Sequence, residues 1–207
     1  DYWPMTFSES IGAELKCWDW CPPHGWPSAT PRISFVLAIQ EGDDEAAIID
    51  TVLSIGRQGF RDIEIIVADC AHRLPSAAGL RRILQADDRL GILTPPLGSG
   101  STTIGLGLIA AIGKAQGQDV VVAIGGFIYA ERAVHVLLEG ARTSGYDPGT
   151  IVAARDLGAP GFNGPFFVEH SRFRDEFRLS SLLIPRVLLV RCLPDPYADR
   201  GIARDLV

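Results

Sequence analysis

Three stretches of the chain carry residue types at spacings that could do chemistry. The fragment CWDWCPPHG brings Cys17, Cys21 and His24 close together, which is a start towards a zinc site. Structural zinc takes four ligands, usually as pairs of Cys or His at matched spacing, and no fourth ligand follows here. Thiols and indoles packing an N-terminal arm account for the fragment without metal. The second stretch is GSGSTTIGLG, residues 98–107, which invites a phosphate-loop reading. It lacks the Lys-Ser/Thr pair of a Walker A loop, because Leu106 and Gly107 follow Gly105. Thr103 stands where a dinucleotide fingerprint needs its last glycine. A loop capping the next helix is the expected role, with backbone amides that could still touch a phosphate. The third stretch, DVVVAIGGFIYAERAV, reads as a buried strand running into a helix through Gly125-Gly126. In α/β sheets ligands bind beyond the carboxyl ends of the strands, so a reactive or metal-holding side chain is looked for at this junction. The glycine pair offers none. No G-x-S-x-G elbow or H-E-x-x-H pair occurs, and His135 falls inside a helical pattern.

The elements that must position these residues are legible as alternating patterns. ISFVLAI, RDIEIIVADC, RLGILTPP and DVVVAI are short apolar runs rich in β-branched residues, the signature of strands buried on both faces. Between them, EGDDEAAIIDTVLSIGRQG has a helical stripe with acidic residues crowding its first turn, where the helix dipole favours them. SAAGLRRILQADD predicts a short helix, IGLGLIAAIGKAQG a glycine-weakened helix ending at Gly117, and AERAVHVLLEGAR a helix after the fourth strand. GTIVAARD is a candidate fifth strand. Strand and helix in alternation predict a mostly parallel sheet with helices on both faces. The positions to interrogate are those just after each strand: 40–44, 69–72, 95–100 and 125–129.

Composition narrows the classes. The chain has 207 residues, 47% of them hydrophobic, enough for one domain with a substantial core. Its net charge of −6 argues against a general nucleic-acid surface. No apolar run reaches the roughly 18 residues that cross a bilayer, so no membrane span is expected in this segment. The opening DYWPMTFSES has no apolar region of the signal-peptide kind. A chain that starts on Asp1 and stops in GIARDLV is expected to be a piece of a longer one. Four cysteines at irregular spacing fit a reducing, cytoplasmic setting better than a disulfide framework. Residues 1–31, with all four tryptophans and five prolines, read as an irregular arm.

The segment PRISFVLAIQEGDDEAAIIDTVLSIGRQGFRDIEIIVADCAHR, followed by AIGKAQGQDVVVAIGGFIYAERAVHVLLEGA, resembles the family 2 glycosyltransferases. In that family a strand and a helix ending in a Gln-Thr-Tyr-like turn lead to a second strand ending in Asp-Asp. A later Ala-x-Gly-x-Tyr strand ends in Asp-x-Asp. The likeness covers residues 31 to about 142, with Gln58 and Phe60 in the turn, Asp69-Cys70 on the aspartate pair and Ile124-Gly125-Gly126 on the metal motif.

The resemblance implies an α/β fold of the GT-A, nucleotide-diphospho-sugar transferase-like type over residues 32–207, possibly truncated at its C-terminus. It also implies a nucleotide site at Ala38, Gln40, Asp69, Cys70, Gly125 and Gly126. The family's polar Ala-Arg-Asn stretch falls on Gly107, Leu108 and Ile109. A hard divalent cation needs carboxylate oxygens, and none remain at Ile124-Gly125-Gly126, so no cofactor is expected, with Mg or Mn as the alternative. The diphosphate would then need backbone amides of Gly125 and Gly126, or arginines such as Arg172, Arg174 and Arg178. Interleaved Glu169, Asp175 and Glu176 give those arginines a second reading as a solvated face. Asp205 falls on the family's general base. Three functions follow from the resemblance. One is a degenerate domain scaffolding a protein partner or the other domains of a larger chain. The second is an active, metal-independent transferase using a nucleotide-diphospho-sugar, and the third a nucleotide-binding module without catalysis.

Overall fold

The structure, a computed structural model, describes residues 17–23, 31–72, 82, 87–96, 102–143, 151–154, 165–168, 182–186 and 189. Along the chain run β1 (Asp19–Cys21), β2 (Ile33–Ile39), α1 (Glu45–Gly56), β3 (Ile63–Asp69), β4 (Leu90–Thr94), α2 (Ile104–Lys114), β5 (Asp119–Ala123), α3 (Ala133–Thr143), β6 (Ile151–Ala154), β7 (Pro165–Val168) and β8 (Leu182–Pro185). The strands lie in the order β1-β4-β3-β2-β5-β8-β6-β7. The central four are parallel, with Ile33 opposite both Ile63 and Asp119, and Ile39 opposite Asp69. The flanks are antiparallel. The candidate fifth strand appears as β6, but it pairs antiparallel with β7 and β8, and β8 separates it from β5. The expected helix in SAAGLRRILQADD lies almost wholly outside the described residues.

Every residue of β2, β3 and β5 is buried, as their apolar runs require. The pleat divides them between two cores. Ile33, Phe35, Leu37, Ile63, Ile65 and Val67 pack with Ile48, Val52 and Ile55 of α1 and Val134 and Leu137 of α3. Val36, Ala38, Ile66, Ala68, Val120 and Val122 pack with Ala110, Ala111 and Ile112 of α2. Helices therefore cover both faces.

The N-terminal arm is less irregular than its composition predicts. Asp19–Cys21 pairs with β4, Trp18 is buried, and the Trp20 ring covers Gly91 so closely that a Cβ there would also come within 2.9 Å of Pro23. α2 ends at Lys114, three residues before the expected stop. Ala115 turns extended at ψ 133°. Gln116 and Gly117 then donate their amides to the buried Glu64 carboxylate.

α1 is capped by Asp44, whose carboxylate accepts the Ala46 amide at 3.0 Å. Beyond its apolar residues it carries the buried polar Thr51 and Ser54, and Gln58, two residues past its end, is buried as well. Gln58 explains where α3 begins. Its Oε1 accepts the Val134 amide at 3.2 Å and its Nε2 donates to Ala130 O at 2.8 Å. Ala130-Glu131-Arg132 contains none of the usual capping residues, so the Val134 amide in the first turn of α3 takes its acceptor from Gln58, just past the end of α1. The chain makes a turn at Glu131-Arg132, and α3 starts at Ala133 rather than at Ala130 as the pattern predicts.

Replacing Gln58 by Ala removes the acceptor of the buried Val134 amide, and the expected loss of stability is about 1–3 kcal/mol in urea denaturation. The neighbouring exposed Arg57→Ala is expected to stay within about 0.5 kcal/mol of the parent.

Candidate functional site

The candidate site is built from the segments leaving β2, β3 and β5. After β2 the chain closes on itself. The Gln40 amide donates to the Asp43 carboxylate at 2.9 Å, the Asp43 amide donates to Gln40 O at 3.3 Å, and Gly42 sits at φ +89°. That backbone angle favours glycine. Gln40 is exposed at the rim, whereas Ala38 is buried beneath α2.

After β3, Asp69 is fully buried opposite Ile39, and the Cys70 amide donates to Ile39 O at 3.0 Å. His72, at φ +52°, turns the chain and returns its amide to Asp69 O. Pleat alternation sets Asp69 on the same face as Val67, towards α1, and Cys70 with Ala68 and Ala38, towards α2. The Cys70 thiol presses against Gly107: a Cβ on that glycine would collide with the sulfur and stand 3.3 Å and 3.4 Å from the Ala38 and Ala68 methyls. Burial, with the neighbouring Asp69 carboxylate, pushes the Cys70 thiol up from an ordinary 9.0 to about 11. It is a protonated packing group at neutral pH rather than a nucleophile.

After β5, Ile124-Gly125-Gly126-Phe127 forms a tight turn, closed by the Phe127 amide on Ile124 O at 3.0 Å. Gly126 is its third residue at φ +86°, a place where glycine is the residue that fits. Its amide points into the protein, donating to Thr51 Oγ1 at 2.9 Å and to Ala47 O at 3.2 Å. The amide that the resemblance offers to a diphosphate is thus bonded to α1 in this structure. Ser54 Oγ likewise accepts the Tyr129 amide at 3.0 Å.

The structure thus brings Ala38, Asp69 and Cys70 together at adjacent strand ends and places Gly125 and Gly126 over α1. Arg172, Arg174, Arg178 and Asp205 lie outside the described residues. No carboxylate stands on the turn after β5, and among the described residues no three His, Cys, Asp or Glu side chains form a group that could hold a metal ion. Among the described residues, the turn after β5 offers a hard cation such as Mg or Mn no carboxylate oxygen. Sequence reasoning missed Thr51 and Ser54 and gave Gln58 only a place in a turn. The available signal was three polar residues recurring on the apolar face of a buried helix and just past its end, each of which must find a partner.

No family model matches the sequence, and no curated protein matches it either. Among solved structures the chain is similar to residues 1–349 of S. aureus TarS, with a TM-score of 0.53 and 15% identity, covering 78% of this chain and 49% of that one. The same protein in complex with UDP gives a TM-score of 0.53 over 78% and 48% of the two chains. Its complex with UDP-GlcNAc gives 0.51 over 78% and 47%. All three have 15% identity, so the likeness is one of fold. The chain spans about half the length of the TarS chain it matches. Its fold is that of the GT-A-type glycosyltransferases.

Three outcomes are expected from the packing of Cys70. Gly107→Ala should cost about 1–3 kcal/mol by forcing the sulfur aside, and adding Cys70→Ala should recover part of that loss. The folded thiol keeps its proton until about pH 11 while the unfolded chain loses it near 9.0, so its contribution to stability is full below pH 9 and falls away as the pH climbs through 11. Iodoacetamide at pH 8 should modify the exposed Cys17 and Cys21 in the native chain and Cys70 only after denaturant is added, read by peptide mass spectrometry.

Proposed function

We propose that the chain is a degenerate relative of the family 2 glycosyltransferases that does not transfer sugar and acts as a scaffold within a larger, cytoplasmic protein. The observation that carries this reading is the turn after β5. It has glycines where the resemblance places metal-holding carboxylates, and the amide of Gly126 is bonded inward to Thr51 and Ala47. A diphosphate at this end of the sheet would meet neither a cation nor that amide. On the other side of the strand ends, the position of the second aspartate is a buried, protonated thiol under α2. It has no strong acceptor to offer a base.

A second reading, nucleotide binding without transfer, is favoured by Asp69. That carboxylate remains at the end of β3 at the position that the resemblance assigns to the nucleotide. The two readings part on one measurement. Calorimetric titration with UDP, UDP-GlcNAc and GDP-mannose, with and without Mn²⁺, is expected to give no saturable binding up to about 1 mM, corresponding to an affinity weaker than roughly −4 kcal/mol. Saturable binding indifferent to metal, and lost in Asp69→Asn, would replace the scaffold reading with the nucleotide-binding one. Binding that requires Mn²⁺ would overturn both the scaffold reading and the assignment of the turn.

A further inference from the structure

The segment from Ile124 to Val134 joins the end of β5 to the first turn of α3, and two side chains of α1 with Gln58, just past its end, hold it at three points. Thr51 Oγ1 accepts the Gly126 amide and donates to Ala47 O at 2.9 Å. Ser54 Oγ accepts the Tyr129 amide and donates to Thr51 O at 2.7 Å. Gln58 accepts the Val134 amide and donates to Ala130 O, with a second bond from its Nε2 to Ser54 O at 3.1 Å. Each latch residue thus also bonds to the backbone of α1, which orients the latch before the segment arrives. Thr51, Ser54 and Gln58 are all buried, which shields the bonds to the Tyr129 and Val134 amides from competing water, while those to Gly126 and Ala130 are part-buried. Tyr129 completes the fastening: its buried ring stands edge-on to Phe35 of β2 at 5.2 Å and to Phe127 at 4.9 Å.

We infer that residues 124–134 form a strap latched to α1 in the absence of any ligand, rather than a lid that closes when one binds. A lid needs a low-stability segment with solvent-exposed backbone hydrogen bonds. This segment has the reverse: its amides at 126, 129 and 134 point into the protein, while Ile124 and Ile128 are left outside at 48% and 59% exposure. The latch fixes one side of the strand-end surface in a single geometry, set by α1, Gln58 and the Phe35 ring. This goes beyond the proposed function and does not rest on it, since a nucleotide-binding protein could also carry a closed strap.

Hydrogen–deuterium exchange on the ligand-free chain tests the inference residue by residue. The Gly126, Tyr129 and Val134 amides are expected to exchange at least about tenfold more slowly than unbonded turn amides, and UDP with Mn²⁺ should leave their rates unchanged. Thr51→Val, which keeps the shape and removes the oxygen, should speed exchange at Gly126 by roughly two- to tenfold with little change at Val134. Gln58→Leu should do the converse. Fast exchange at all three amides in the parent chain would overturn the latch. Protection that appears only with UDP and Mn²⁺ would overturn it as well, by making the segment a ligand-closed lid. The parent chain alone decides between these, whatever the variants do to folding. A nucleotide that binds while the three rates stay unchanged would count against the scaffold function and leave the latch intact.

Discussion

A sheet covered by helices on both faces has no place along its centre for a polar side chain without a partner. In this chain β2 and β3 are each buried over seven consecutive residues, and the polar residues they contain stand at or near their ends. Ser34 and Glu64 face each other in register near the start of β2 and β3, and the Ser34 hydroxyl donates to the Glu64 carboxylate. The amides of Gln116 and Gly117 close on the same carboxylate oxygen. Such a group is tolerable in the interior only because several donors converge on it. Gly117 is what allows them to converge. A Cβ there would come within 2.6 Å of the Ser34 nitrogen, so any larger residue would push the chain leaving α2 away from the sheet. One strand further on, Asp119 begins β5 fully buried, 3.5 Å from the Arg32 guanidinium. The register of the parallel core is thus secured at one end by charge-assisted bonds.

The opposite end meets the same constraint differently. The chain leaving β5 runs across α1, and its backbone amides would be lost to burial without partners. Thr51 and Ser54, on the α1 face that also carries Ile48, Val52 and Ile55, and Gln58 just past the helix supply these partners. One helix therefore packs the core and satisfies a connection between two later elements. The first turn of α3 inherits this dependence, because its cap comes from Gln58, 76 residues earlier in the chain. The sequence around Ala130 shows no capping residue, and the reason lies in α1.

This division explains what the sequence disclosed. β2, β3 and β5 were legible because complete burial produces uninterrupted apolar runs, and α1 because an acidic cap precedes its stripe. β1 was not. Three residues at a sheet edge have no period, and the tryptophans and prolines around them resemble a loop. The antiparallel return of β6 beside β8 is equally silent, since a short strand carries no mark of its neighbour or direction. At the candidate site, the pattern placed Ala38, Asp69 and Cys70 at neighbouring strand ends, and they are neighbours. What pattern cannot express is direction. Whether the Gly126 amide faces ligand or helix depends on Thr51, 75 positions away. Ile124-Gly125-Gly126-Phe127 was read as an emptied site, whereas it is also a turn that needs glycine at Gly126.

Three of the six positions that the resemblance assigns to a nucleotide have structural tasks here. Ala38 and Cys70 fill the space beneath α2, and Gly126 makes the turn. The Cys70–Gly107 contact is the clearest case, because the sulfur occupies the volume that a side chain at 107 would take. Restoring an aspartate at 70 would place a second carboxylate beside Asp69 under an apolar helix. Breaking the balance of a buried site in this way costs about 3–5 kcal/mol. A carboxylate at 126 would need a backbone angle that a side chain resists, and would strain the turn the strap begins from. Only Gly125, with Ile48 Cγ1 at 3.4 Å from its hypothetical Cβ, could accept a side chain without moving the backbone. A single carboxylate there would be one ligand for an ion that needs several. A metal site at the end of β5 is therefore not one substitution away. The side chains around it are committed to the core and the turn, and a carboxylate added there would have to displace them.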